Sequence, residues 1–160
     1  VVRMEVGDVV MFKPSSPISF VIAYLTKSEY SHVGLVVGKD MVVEADRFVN
    51  TRLSQLEFDP NRHALYRVPG LLETQKKIIQ EYAVSMIGTR YDYWQIFGWF
   101  IRLVFGWNKH NLFNRSNYLI CSELIDQAYQ RAGVPRSCDC PVGDVTPQDL
   151  LRIYNFVRVA

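Results

Sequence analysis

The sequence predicts an α+β fold: a mostly antiparallel sheet, laid down early in the chain, packed against helices. Three observations carry this reading. Short apolar or alternating runs, each closed by Gly, Pro or Asn, crowd residues 8–68. Two later segments, 71–87 and 121–132, change to a 3.6-residue apolar period. At 160 residues the chain has the size of one domain with a real core, so 1–160 is read as a single domain.

Gly7-Asp8 turns into a strand, Val9-Val10-Met11-Phe12, that Pro14 closes. Ser16-Pro17 fits a helix cap with proline at the first helical position. Ile18, Phe20, Val21, Ile22, Tyr24 and Leu25 make that helix short and mostly apolar, and polar residues 26–30 read as a surface loop. Residues 33–37 read as a strand apolar or tight on both faces, hence central in its sheet. His32 stands at its start, and Gly34 leaves room for a close approach.

Gly38-Lys39-Asp40 is a hairpin turn, and 41–45 is the return strand. Residues 48–58 carry a Thr51, Leu53, Gln55 alternation, a strand or an irregular stretch. Pro60-Asn61 leads to a strand at 64–68, ended by Pro69-Gly70.

The helix at 71–87 sets Leu71, Leu72, Ile78, Ile79, Tyr82, Ala83, Met86 and Ile87 on its apolar side, with a gap at Gln75. Lys76, Lys77, Gln80 and Glu81 form its wet side, and Gly88 stops it. The other long helix begins at Cys121. Leu124, Ile125, Ala128, Tyr129 and Ala132 line its apolar face; Glu123, Gln127, Gln130 and Arg131 form the wet one. Gly133 and Pro135 stop it. Thr146-Pro147-Gln148-Asp149 comes close to a capping box and predicts a short helix over 147–151. Residues 153–159 then return to the sheet as a strand.

Between the long helices lies an aromatic-rich apolar insertion, residues 93–107 from Tyr93 to Trp107, with all three tryptophans. Gln95 and Arg102 interrupt it, and it is too short to span a bilayer comfortably. Three readings compete: a helical hairpin in the core, the lining of a pocket for an apolar or acyl substrate, or a peripheral membrane or partner contact.

Composition narrows the function classes. Hydrophobic residues are 49% and charged residues 21%, a globular balance. The formal charge is +2 with no basic tract, so nothing asks for nucleic acid. Three cysteines cannot all pair within one chain. Cys138 and Cys140 sit two apart in a Ser-Cys-Asp-Cys-Pro turn, without the second pair that structural zinc usually needs. No metal or cofactor is expected. A reducing, cytoplasmic compartment is favoured, and Val1-Val2-Arg3-Met4-Glu5 is too short and polar for a signal peptide.

Chemistry centres on Cys121. Helix-start N–H groups and the positive dipole end favour a thiolate and can hold an oxyanion. A buried core cysteine is the plainer reading of that stretch alone. A nucleophilic thiol needs a base, and the base needs an orienting group. His32 on one strand and Glu44 on the next supply both. A hairpin turning near Lys39 sets Glu44 opposite Val33 or Gly34, beside His32. The plainer readings are a satisfied histidine and an edge-strand carboxylate facing water. His63, in a polar turn before a strand, and His110, in an Asn- and Lys-rich loop, are poorer bases. Cys138 and Cys140 have no helix start behind them.

Gly7-Asp8, Ser31-His32-Val33-Gly34, Glu44-Ala45, Gly88-Thr89-Arg90-Tyr91-Asp92 and Tyr118-Leu119-Ile120-Cys121-Ser122-Glu123-Leu124 occur in one order. In this the chain resembles the circularly permuted branch of the NlpC/P60 papain-like superfamily, the YiiX/YaeF-like group, which is related to lecithin:retinol acyltransferase-like proteins. The resemblance spans about residues 5–151. It implies a permuted papain-like fold with the histidine strand ahead of the cysteine helix. It implies Cys121 as nucleophile, His32 as base and Glu44 as the group orienting the imidazole. The Cys121 backbone N–H would join the oxyanion hole, with Tyr30 or Tyr118 as a further hydroxyl donor, while Asp8 supports the first turn. The expected activity is hydrolysis of an amide or ester through a cysteine acyl-enzyme. The expected partner is a small-molecule, peptide or lipid substrate, such as a cell-wall peptide or an acylated molecule. A lipid-directed acyltransferase or esterase, and a non-catalytic binding module of the same fold, are the alternatives.

Overall fold

The computed structural model describes residues 2–25, 27–45, 50–91, 118–119, 121–138 and 145–160. The 93–107 insertion, His110 and Cys140 lie outside the described residues.

Six strands form one antiparallel sheet in the order β4-β3-β2-β1-β5-β8. They are β1 (Val9–Phe12), β2 (His32–Gly38), β3 (Met41–Ala45), β4 (Thr51–Gln55), β5 (His63–Arg67) and β8 (Val157–Arg158). A separate parallel pair joins β6 (Arg90–Tyr91) to β7 (Tyr118–Leu119). The helices are α1 (Pro17–Leu25), α2 (Glu73–Ser85), α3 (Cys121–Arg131) and α4 (Pro147–Ile153).

The central strands are apolar on both sides because both sides are covered. Val9, Met11, Val33, Leu35 and Val43 join the core with Ile79 and Ala83 of α2 and Leu124, Ile125, Ala128 and Tyr129 of α3. Val10, Val36, Val42 and Leu65 form a second cluster with Met4. Gly34 belongs to the second face, where a Cβ would come within 2.4 Å of Val42 Cγ1.

Local chemistry explains the helix boundaries. Ser16 Oγ accepts from the Ser19 amide at 3.2 Å and caps α1. This helix buries the small Ser19 and Ala23 and exposes Phe20, Val21 and Tyr24. α2 is shorter than 71–87. Leu72 is extended and exposed, and its N–H donates to Gln75 Oε1 at 3.0 Å, so the helix starts after it. Ile78 and Ile87 are also exposed, and within the helix only Ile79 and Ala83 are buried.

α4 is capped as expected: Thr146 Oγ1 accepts from the Asp149 amide, and Asp149 Oδ2 accepts from the Thr146 amide. It runs on to Ile153, so the strand expected over 153–159 shrinks to β8. Packing decides this. Leu150, Ile153 and Tyr154 are buried, and the Tyr154 hydroxyl donates to Asp126 Oδ1 of α3 at 2.6 Å.

Other expectations also shift. Tyr30, expected in a surface loop, is buried, with its hydroxyl 2.9 Å from that of Tyr66. His63 is the first residue of β5 and is buried rather than standing in a polar turn. Glu123, expected on a wet face, is buried at the start of α3. Asp8 does brace the first turn. It accepts from the Glu5 amide at 2.8 Å and takes a bidentate grip from Arg67 at 2.7 Å on each oxygen.

Candidate active site

α3 presents Cys121 because the chain ahead of it is tied down. β7, which leads into Cys121, pairs with β6. The segment before β6 is stitched to the start of β4: Thr51 N–H donates to Thr89 O, and Gly88 N–H donates to Thr51 O, both at 2.7 Å. Behind the first turn, the Ser122 hydroxyl donates to Val145 O. At the far end of the apolar stripe the Tyr129 hydroxyl donates to Gly7 O, and α3 lies against α2 and β2. Cys121 is a free thiol, 5% exposed, in the first helical turn. The uncompensated amides of a helix start surround that position.

The sheet brings up the other two side chains. Gly34 pairs with Glu44 across β2 and β3, so His32, two residues earlier, shares a face with Glu44. The expected neighbour of Glu44 is therefore the observed one. His32 Nε2 lies 3.2 Å from Glu44 Oε2. β3 is interior, between β2 and β4, and the Glu44 side chain is only 10% exposed. The reading of Glu44 as an edge charge in water therefore fails.

Two residues that sequence reasoning missed complete the carboxylate's surroundings. Glu44 pairs directly with Arg52, and Val42 with Ser54. Glu44 Oε1 accepts from Arg52 Nε at 3.1 Å, Arg52 Nη2 at 3.0 Å and Ser54 Oγ at 2.7 Å. The Arg52-Leu53-Ser54 alternation was the available signal, since period 2 puts Arg52 and Ser54 on one face.

Charge follows geometry. Burial alone would raise the Glu44 pKa. Hydrogen bonds and charge from His32, with hydrogen bonds from Ser54 and Arg52, outweigh it and hold the carboxyl at about 2. For His32, burial alone would favour the neutral ring. Hydrogen bonds to Cys121 and Glu44, and charge interaction with both, push its pKa up from 6.5 to about 10. With Nε2 turned to Glu44, Nδ1 is the ring nitrogen left to serve the thiol. The His32 side chain is 23% exposed.

Among the described residues, Tyr30, Cys138 and His63 make other contacts. The hydroxyl of Tyr30 is taken up by Tyr66. Cys138 is disulfide-bonded. His63 shares the sheet face with His32 but is separated from it by Phe12. Among the described residues, no three His, Cys, Asp or Glu side chains are grouped to hold a metal ion. No helix among them is long and apolar enough to cross a membrane.

A family model described as a permuted papain-like amidase enzyme, YaeF/YiiX, C92 family, matches residues 3–139. Among solved structures, the chain is similar to that of the metalloprotein yiiX from Escherichia coli O157:H7, DUF1105. The TM-score is 0.66 at 20% identity, over 98% of this chain and 96% of that one. The likeness extends to the whole fold. No curated protein matches the chain.

Proposed function

The chain belongs to the permuted papain-like amidase family, and from that premise we propose that it hydrolyses an amide through a Cys121 acyl-enzyme, with His32 as base and Glu44 orienting it. The observation that supports the reading is the His32 imidazole 3.2 Å from Glu44 Oε2, its charged form favoured by Glu44 and by the Cys121 thiol in the first turn of α3.

In this mechanism His32 holds the thiol proton while Cys121 Sγ attacks the amide carbonyl. The carbonyl π electrons move onto oxygen, and the oxyanion rests on the amides of the α3 start. As the C–N bond breaks, the amine leaves with the proton from His32. Water, deprotonated by His32, then attacks the thioester and returns the thiol and a carboxylic acid. Glu44 keeps the imidazole in one tautomer and stabilises its charged form, as a triad carboxylate does. Arg52 and Ser54 keep Glu44 in place.

The substrate is an amide joined to an apolar part, such as an acylated amine or a lipid-like molecule. What supports this is α1. It connects the end of β1 to the start of β2, at the end of the sheet that carries His32, and turns Phe20, Val21 and Tyr24 outward. The apolar composition of 93–107 points the same way. The test is a panel of N-acyl amides, acyl esters and cell-wall peptides with the parent and Cys121→Ala. Hydrolysis of the acylated amides that disappears in Cys121→Ala is expected. Turnover surviving in Cys121→Ala overturns the acyl-enzyme, and turnover of the cell-wall peptides alone overturns the substrate class.

A further inference from the structure

We propose that Phe12 is a positioning residue for the reaction: its ring braces the His32 imidazole at the angle where it meets both Glu44 and Cys121. The inference rests on the assignment of His32 as base.

Phe12 is the last residue of β1. It pairs with His32 of β2 on one side and with His63 of β5 on the other. Directly paired residues of an antiparallel sheet point to the same face, so the three rings form a row across three strands. The Phe12 and His32 centroids are 5.1 Å apart with the planes tilted at 47°. Phe12 and His63 stand edge to face at 4.9 Å. Phe58 closes the row, 5.8 Å from His63.

The brace lies over Gly34. A Cβ there would lie 3.5 Å from Phe12 Cε2, an ordinary contact distance, so the ring rests over the glycine, next to His32 on the same strand face. Gly34 is also the residue paired with Glu44. Phe12, Gly34 and Glu44 thus line one face beside His32.

The brace is itself backed. His63 is buried, and its Nδ1 accepts from the Asp59 amide at 3.0 Å, which fixes the ring. Its hydrogen-bonding and burial suit a neutral ring, so His63 itself sets no positive charge behind Phe12. The hydrogen bond to Glu44 fixes where Nε2 points. It leaves the ring free to turn about that bond, and contact with the rigid Phe12 ring removes that freedom. Misplacement of a catalytic group by about 1 Å can cost roughly 100-fold in rate.

The plain alternative is that Phe12 merely seals the rim of the second apolar cluster, against which it packs. The two roles differ in what they require. A seal needs apolar volume, which leucine retains. A brace needs a flat ring. The experiment compares the parent, Phe12→Leu, Phe12→Tyr and His32→Ala at a temperature where all are folded by circular dichroism. The readouts are the rate of Cys121 alkylation by iodoacetamide across pH and, on an amide the parent turns over, kcat and KM separately.

The expected result for Phe12→Leu is about a tenfold loss in alkylation rate near neutral pH, with kcat falling by a similar factor and KM unchanged within about twofold. Phe12→Tyr, which keeps the ring, should stay within about threefold of the parent. Phe12→Leu matching the parent in pH profile and kcat overturns the proposal, as does Phe12→Tyr losing as much as Phe12→Leu. If Phe12→Leu fails to fold, Phe12→Met, whose unbranched side chain adapts to the same space, decides by the same criteria. His32→Ala separates the two levels. Its matching the parent removes the base assignment and the brace with it. Its losing reactivity while Phe12→Leu does not removes the brace alone.

Discussion

Glu44→Gln perturbs the site at its most heavily bonded point while keeping shape. The carboxylate accepts from four donor groups: His32 Nε2, Arg52 Nε, Arg52 Nη2 and Ser54 Oγ. Three of these converge on Oε1, so the glutamine carbonyl takes that place and its NH2 faces His32. Two donors then meet at Nε2. The glutamine NH2 cannot accept from His32 Nε2–H, so the charged imidazole loses its partner and the pKa of His32 falls. The lost charge-assisted hydrogen bond is worth about 1.5–3 kcal/mol. At 1.36 kcal/mol per tenfold, that is a fall of roughly 10–100-fold in the rate at which Cys121 reacts. Stability should change much less, because the Arg52 side chain is 48% exposed and can turn its charge to water. The assay is iodoacetamide alkylation near neutral pH, with a melting curve on the same sample. Alkylation within about threefold of the parent in a folded variant would refute the orienting role of Glu44.

Two further outcomes test the frame and its pH dependence. Asp126 is fully buried and accepts from Tyr154 at 2.6 Å, Gln130 at 3.0 Å and Arg136 at 3.3 Å. Asp126→Ala strips a buried pair of one partner, which costs about 3–5 kcal/mol, and should lower Tm by about 10 °C. Below the transition Cys121 should still alkylate at the parental rate; an unchanged Tm contradicts the packing account.

The second outcome follows from His32 and Glu44. The folded-state pKa of His32 is raised from 6.5 to about 10, so its stabilisation is complete below 6.5 and is lost as pH rises through 10. The pKa of Glu44 is lowered from 4.5 to about 2, so its stabilisation is complete above 4.5 and is lost as pH falls through 2. Both are present between 4.5 and 6.5. Burial of His63 acts in the opposite sense, lowering its pKa and weakening the fold below 6.5. Urea unfolding of parent and His32→Ala should show a stability gap that narrows as pH rises above 6.5, and a constant gap would exclude the linkage.

Much of the site was legible before the fold. A 3.6-residue stripe with Gly133 and Pro135 beyond it defines the Cys121 helix, because the period is a property of the local chain. A tight turn at Gly38-Lys39-Asp40 leaves little choice of register, which is why Glu44 falls opposite Gly34 and beside His32. The alternation put Arg52 and Ser54 on one face, but not opposite Glu44. The β3–β4 connection is longer, and the register of β4 is fixed by pairing along the whole strand and by the stitch from Thr51 to Thr89.

Burial separated expectation from structure elsewhere. Tyr30 lies among polar neighbours in sequence, yet the Tyr66 hydroxyl and the core draw it inward. α1 looks like an ordinary apolar helix but turns Phe20, Val21 and Tyr24 outward. His63 reads as a turn residue until Phe12 is laid against it.

The sequence by itself determined most of the long elements, the cap at Thr146, and which side chains could serve as nucleophile, base and orienter. Those features depend on torsions and hydrogen bonds within a few residues. Only the tertiary structure decided that Glu44 meets His32, Arg52 and Ser54, and that the Phe12 ring lies against His32. Such contacts join separate strands, and they form only when the covered faces of the sheet select one register and one packing.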